Sequence, residues 1–411
     1  MRRVVVIGAG AAGAMAAIFS AAAGADTILL ERTRDGGRKI LISGGGRCNV
    51  LPMCVDESRF VTDSSPNALR KMVRAWPLAE QIAFFERDLR IPLAEEPESG
   101  KLFPVSNRAR DVRDGLLARA TSRGAKFLPE TMVTDFYPSG AGWRVERGDG
   151  PPLDADAVIV ATGGLSVPAT GSDGLGHRVL AGLGLVMHPT YAALTPLTSD
   201  DAAFAALSGL SLNVTLTAQS ALRSATARGG FLFTHRGYSG PAVLDVSHVA
   251  VRARSEPQAP ARILVQWTAL DDSAWDVALR THGTQTVIGT LRAELPDRLA
   301  AVLVQVAGVD PMRTLAELPR DDRLHLIETL VRGALPLTGD EGFRKAEVTG
   351  GGVSLAEVEP KTLESRRHRG LYLCGEVLDA FGPIGGYNFL WAWATGRAAG
   401  MGAALAQRVG A

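Results

Sequence analysis

Three glycines near the start of the chain, Gly8, Gly10 and Gly13, stand at the spacing G-x-G-x-x-G, and an acidic residue, Glu31, follows Gly13 by 18 residues. Residues of those types at those intervals can hold a diphosphate and the ribose beside it. Gly8 permits a tight turn, Gly10 lets the backbone approach the phosphates, and Gly13 lets a helix pack close to the preceding strand. Ala9, Ala11 and Ala12 complete the turn, and free amides at a helix start would face the anion. Glu31 would accept the ribose hydroxyls and repel a 2′-phosphate. A second candidate is "RKILISGGGRCNV", Arg38 to Val50. Its glycines and the Arg47-Cys48-Asn49 triplet could serve phosphate, a metal ion, a reactive thiol or a flavin ring.

The elements that must position these groups are legible around them. "RRVVVIG" reads as a buried parallel strand, "AAGAMAAIFSAAAG" as an Ala-rich helix ended by Gly24, and "ADTILLER" as a second buried strand. A nicotinamide dehydrogenase would complete its nucleotide domain from the residues that follow at once. Here the next clear parallel strand is "ADAVIVATGG", residues 155 to 164, reached through a β-rich excursion, "AKFLPETMVTDFYPSGAGWRVER". A third piece, "GLYLCGEVLDAFGPIGGYNFLWAWATGRAAG", places a strand before Gly375-Glu376 and starts a helix around Gly385 to Asn388. Ligands drawn from both chain ends suit FAD better than NAD. The start of that last helix would turn its positive end toward the flavin pyrimidine edge.

Composition bounds the partners. Forty-four basic and 43 acidic residues leave a net charge of +1, so no global field favours a polyanion, and neither nucleic acid nor an acidic membrane surface is expected. Three cysteines make no disulfide framework, which points to a cytoplasmic protein with reduced thiols. The basic and apolar N-terminus resembles a signal peptide, but its glycines fit the dinucleotide turn better, and no run is long enough for a membrane span. The seven histidines, among them His282, form no i, i+3 or i, i+4 pair, so no metal site is expected. Five residues separate Cys48 from Cys54 and include Pro52, which argues against a redox pair on a helical turn. Arg108, Arg110 and Arg113, interleaved with Asp111 and Asp114, read as a solvated helix face. Trp391 and Trp393 read as packing residues.

Six ordered segments give the chain a wider resemblance: "GRKILISGGGRCNV", "GKLFPVSNRARDV", "ATGGLSVPATGSDGLGHRVL", "FTHRGYSGPAVLDVS", "EVTGGGVSLAEV" and "LCGEVLDAFGPIGGYNFLWAWATGRAAG". It resembles a bacterial family of FAD-dependent oxidoreductases that includes YhiN-like proteins, BaiN-like steroid enoyl reductases and aminoacetone oxidases. The resemblance implies an α/β fold: a doubly wound, Rossmann-like FAD-binding domain of the glutathione-reductase type, with an inserted β-barrel-like domain and a small helical subdomain. On that basis residues 1–191 and 341–411 form the FAD domain, and 192–340 the insertion, helical over about 271–335. Period-2 runs at "SLNVTLTA", "ARGGFLFTH" and "ARILVQW" agree with the insertion.

The resemblance also implies the cofactor contacts. They are Gly8 to Gly13 in the turn, Glu31 and Arg32 after the second strand, and Arg38, Lys39, Ser43, Gly44, Gly45, Gly46, Arg47, Cys48 and Asn49 in the opening loop. Val133, Ala161, Thr162 and Gly163 follow in the middle of the chain, and Gly375, Glu376, Gly385, Gly386, Tyr387 and Asn388 near its end. Glu376 would bond the ribityl chain. The implied activity passes a hydride through the flavin. NAD(P)H-dependent reduction of a small organic acceptor is favoured, with oxidation of a small amine and a non-catalytic redox sensor as alternatives. No second fingerprint offers NAD(P)H a domain of its own. No catalytic acid or base is identified.

Overall fold

The computed structural model describes residues 1–148, 150–257, 260–280 and 284–406; His282 lies outside them. The chain divides into two compact units, one of Met1–Thr190 with Val348–Ala411, the other of Tyr191–Glu347.

The first unit is built on a five-stranded parallel sheet in the order Leu371–Leu373, Ala157–Val160, Arg3–Ile7, Asp26–Leu30, Lys126–Leu128. Strands taken from the beginning, middle and end of the chain are therefore neighbours, and the strand Arg3–Ile7 lies at the centre. Its residues Val4, Val5 and Val6 are fully buried, as expected of a strand covered on both faces. The helix Ala11–Ala22 packs against the C-terminal helix Tyr387–Leu405. That approach is close because Gly396 and Gly400 present no side chain: a Cβ on either would lie 2.4 Å from Ala12 O or 2.3 Å from Ala16 O. Trp391 and Trp393 are buried and donate to Gly375 O and Val50 O, so both are packing residues that also pin loops. A three-stranded antiparallel sheet, Val133–Ser139, Gly142–Arg147 and Gly150–Ala155, forms the β-rich excursion.

The second unit holds a seven-stranded antiparallel sheet whose long strands, Ser211–Gln219, Ser224–Thr234 and Arg262–Gln266, coincide with the period-2 runs of the sequence. Helices Asp272–Ala278, Val287–Arg292, Asp297–Val306 and Arg320–Arg332 follow. Phe204, Phe231, Phe233, Tyr238 and Trp267 form its aromatic centre. Among the described residues no helix is long and apolar enough to cross a membrane.

Candidate functional site

The glycine turn has the shape that its spacing calls for. Gly8 has φ +101°, and a Cβ there would lie 2.6 Å from Ala161 O. A Cβ on Gly13 would come within 1.8 Å of Gly8 O. Gly10 differs from both: it caps the helix Ala11–Ala22 with φ −75°, and a Cβ added there meets nothing within 4 Å. The turn is thus closed against its own sheet and helix, and open over Gly10. Helix amides without intrahelical acceptors lie beside that opening. A diphosphate fits this cradle in shape and in charge.

Glu31 is buried, with 8% of its surface exposed. One carboxylate oxygen accepts from the Ala9 amide at 2.9 Å, the other from the Thr33 amide and hydroxyl at 2.8 and 2.7 Å. The acid therefore braces the turn while standing at its edge. Arg32 is drawn into an ion pair with Asp173 at 2.6 Å. Thr131 N donates to Glu31 O at 2.8 Å, which brings the following Val133, buried at the start of its strand, to this end of the sheet. Ala161 reaches the turn through Ala161 N to Ile7 O at 3.0 Å. Thr162 packs beside Gly176, and Gly163, at φ +71°, lies beside Ser172.

A polar network joins the opening loop to the chain end. Lys39 Nζ lies 2.7 Å from Glu376 Oε2 and 2.5 Å from Ser166 Oγ. Ser166 Oγ and Thr349 N donate to Glu376 Oε1 at 2.6 and 3.0 Å. Burial raises the Glu376 pKa, but the Lys39 ammonium and these donors outweigh it and hold the carboxyl below its ordinary range. Lys39 is thus engaged by a carboxylate. Arg38 is engaged too, 3.6 Å from Asp35 with a bond to Ala169 O.

Gly44, Gly45 and Gly46 take φ of +55°, +67° and +87°, three successive left-handed residues that only glycine adopts easily. They are exposed, and a Cβ on Gly45 would meet nothing within 4 Å. Ser43 accepts from the Cys48 amide through its carbonyl and donates its hydroxyl to Ile40 O. Arg47 lies 2.9 Å from Glu96 and 4.0 Å over the Phe103 ring, turned into the small sheet of Leu51–Pro52, Lys101–Pro104 and Leu93–Glu96. Asn49 Oδ1 is buried and has no hydrogen-bond partner among the described residues. Burial pushes the Cys48 thiol up to about 12, so it stays protonated; all three cysteines are free, and Cys54 is the exposed one. No group of three or more His, Cys, Asp or Glu among the described residues could hold a metal.

At the chain end Gly375, φ +75°, donates to Thr395 Oγ1 and sits against Ala12, so the last strand touches the fingerprint helix. Gly385 and Gly386 precede the C-terminal helix, and a Cβ on Gly386 would strike Leu51 C at 2.4 Å. Tyr387 OH bridges the Asp56 amide and Cys54 O; Asn388 exchanges two 2.9 Å bonds with the Gly382 backbone. Both side chains are occupied in shaping loops.

Two features correct or extend the sequence reading. Arg113 is buried, 5% exposed, and pairs with Asp35 while donating to the Asp35 and Gly36 carbonyls. It fastens the loop before Arg38 and is not on a solvated face; its charged neighbours in sequence gave no sign of that. Ser64, His188 and Asp379 were not singled out. Asp379 accepts from Thr62 Oγ1, Asp63 N, Ser64 N and Ser64 Oγ, while Ser64 Oγ lies 3.2 Å from His188 Nε2 and accepts from Leu355 N. The trio clasps loops together. Its one sequence signal is Asp379 within the last signature segment.

A family described as HI0933-like protein Rossmann domain matches residues 2–402. The ribosomal RNA dihydrouridine synthase of Escherichia coli (strain K12) is 32% identical over 406 residues, 95% of each chain. Its namesake in Haemophilus influenzae is 31% identical over 398 residues, 95% of this chain and 96% of the relative. The 3-dehydro-bile acid delta(4,6)-reductase of Clostridium scindens is 31% identical over 412 residues, 98% and 99%. With a fingerprint turn, a parallel sheet assembled from three distant segments and a match along nearly its whole length, the chain belongs to the HI0933-like FAD/Rossmann family.

Proposed function

We propose that this protein is an FAD-dependent reductase of a carbon–carbon double bond conjugated to a carbonyl. The observation that carries the FAD assignment is the opening over Gly10, closed by Gly8 and Gly13 and bordered by Glu31. When bound, FAD supplies hydride transfer. The chain's own residues bind and orient it: helix amides after Gly10 take the diphosphate, Glu31 takes the ribose, and Glu376, held ionised by Lys39, stands beside the Gly375 turn that touches Ala12. Asn49 Oδ1, buried without a donor, would accept an N–H of the flavin ring.

The acceptor chemistry rests on relatives with different names and one reaction type. Dihydrouridine is uridine whose ring double bond, conjugated to a carbonyl, has been saturated. A delta(4,6)-reductase acting on a 3-dehydro bile acid saturates double bonds conjugated to a ketone. Uridine in ribosomal RNA is the more specific reading of the acceptor, favoured by two relatives at 32% and 31% identity. It runs against the expectation, drawn from the net charge, of no nucleic-acid partner. NAD(P)H is the proposed electron donor and the cytoplasm the proposed compartment.

Anaerobic mixing of the purified yellow protein with NADH, NADPH or aminoacetone tests the direction: bleaching by a nicotinamide supports the reductase, and bleaching by the amine alone supports the oxidase. If none bleaches the flavin, the redox-sensor reading takes over. Reoxidation by a small enone or by uridine-containing rRNA then separates the acceptors, and mass spectrometry of rRNA nucleosides from a strain lacking the gene reads the loss of dihydrouridine.

A further inference from the structure

At the far end of the fingerprint helix from Gly10, beside Ile18, Phe19 and Ala22, the first unit carries a cleft of about 340 Å³. Twelve residues at 1.5 Å each put that end about 18 Å from the turn. Four arginines line the cleft, Arg87, Arg119, Arg123 and Arg397, against two carboxylates, Glu80 and Asp88. Asp88 is already paired with Arg119 at 2.9 Å. Among the described residues no carboxylate pairs with Arg87, Arg123 or Arg397. In a chain whose net charge is only +1, this is a local concentration of unneutralised guanidinium groups.

The floor has its own chemistry. Arg397 lies 5.4 Å from the centre of the Phe19 ring and 5.3 Å from that of Trp76, and its remaining protein bond is to Ala75 O at 3.4 Å. Two rings hold its planar guanidinium in place where it lines the cleft. Such a plane stacks nucleobases, while free arginines at the rim take phosphates. Arg119 Nε is also buried with no partner among the described residues.

We propose that this cleft docks a single-stranded or looped RNA segment, with its phosphodiester backbone on Arg87 and Arg123 and a base against Arg397. The inference rests on the uridine reading above: the cleft would anchor nucleotides flanking the one delivered to the flavin. It reconciles a near-neutral chain with an RNA substrate, because phosphate recognition is concentrated on one face of the first unit.

The test uses flavin-loaded protein and fluorescently labelled fragments of ribosomal RNA transcribed in vitro. For the double variant Arg87→Ala with Arg123→Ala, affinity should fall on the order of tenfold or more. The slope of log affinity against log salt should become shallower by about 1.4, two lost phosphate contacts at about 0.7 each for single strands. Flavin content should not change. Arg70→Ala, an exposed arginine outside the cleft bonded to Asn67, should bind RNA as wild type does. An affinity and salt slope unchanged in the double variant, an equal loss in the Arg70 variant, or no RNA binding by wild type overturns the proposal. Dihydrouridine formation together with unchanged affinity would sink the cleft and spare the uridine reading. Cleft-dependent binding without any dihydrouridine formation would do the reverse.

Discussion

Replacing Gly10 and Gly13 one at a time by alanine should separate ligand binding from folding, because the two glycines face different neighbours. Gly10 has φ −75° and ψ −168°, an extended conformation open to any residue, and its Cβ would meet no atom within 4 Å. Where the backbone suits alanine, the change typically stabilises by about 0.4–1 kcal/mol through the unfolded chain. Alanine is a poorer N-cap than glycine, which offsets that gain, so flavin-free Gly10→Ala protein should melt close to flavin-free wild type. The new methyl would, however, occupy the opening assigned to the diphosphate, and a weakening of at least tenfold, about 1.4 kcal/mol, is expected. Gly13→Ala places a methyl 1.8 Å from Gly8 O and 3.1 Å from Ala161 Cβ. Relief requires the helix to move away from the sheet, an overpacking cost of about 1–3 kcal/mol. Thermal unfolding of stripped protein and the flavin-to-protein absorbance ratio after reconstitution measure both quantities. Wild-type flavin affinity in Gly10→Ala, or apo-protein destabilisation equal to that of Gly13→Ala, would refute the placement of the diphosphate over Gly10.

Three further outcomes follow from the site. Lys39→Met should destabilise the protein by about 2 kcal/mol at neutral pH, less than a fully buried pair costs, since the partners are 26% and 17% exposed. Glu376 has its folded pKa depressed, so its contribution is present above the unfolded value of about 4.3 and lost as pH falls through the folded one; the gap to wild type in denaturant titrations should therefore close in acid. Native protein should expose one reactive thiol, Cys54, to a disulfide reagent at mildly alkaline pH and three after denaturation; rapid labelling of Cys48 would contradict its burial and its pKa of about 12. Gly45→Asn, whose side chain tolerates φ +67°, should keep the fold and lower flavin content, whereas Gly45→Val adds backbone strain to the same loss; full flavin content in the asparagine variant would remove the opening loop from the cofactor site.

What could be read from the sequence was what the chain does within a few residues of itself. The strand, turn and helix around Gly8 to Gly13 are specified locally, because a buried run, a steric need for glycine and an Ala-rich periodicity each act over short distances. The contributions of the middle and end of the chain were legible only as matching fragments. The bonds that join fragments were not legible. Lys39 and Glu376 are 337 positions apart, and neither residue type announces that its partner is the other. A lysine in a glycine-rich loop near a nucleotide turn reads as a phosphate ligand until the carboxylate beside it is seen. Arg113 shows the same limit from the other side: its spacing with Asp111 and Asp114 is that of a solvated face, yet the loop ending at Gly37 folds over it and supplies acceptors from outside its helix. Net charge misleads for a related reason. A sum over 411 residues does not register that three guanidinium groups, from positions 87, 123 and 397, that no carboxylate among the described residues pairs with share one cleft. The quantity that bears on an RNA partner is the local field where those side chains converge, and only the fold brings them together.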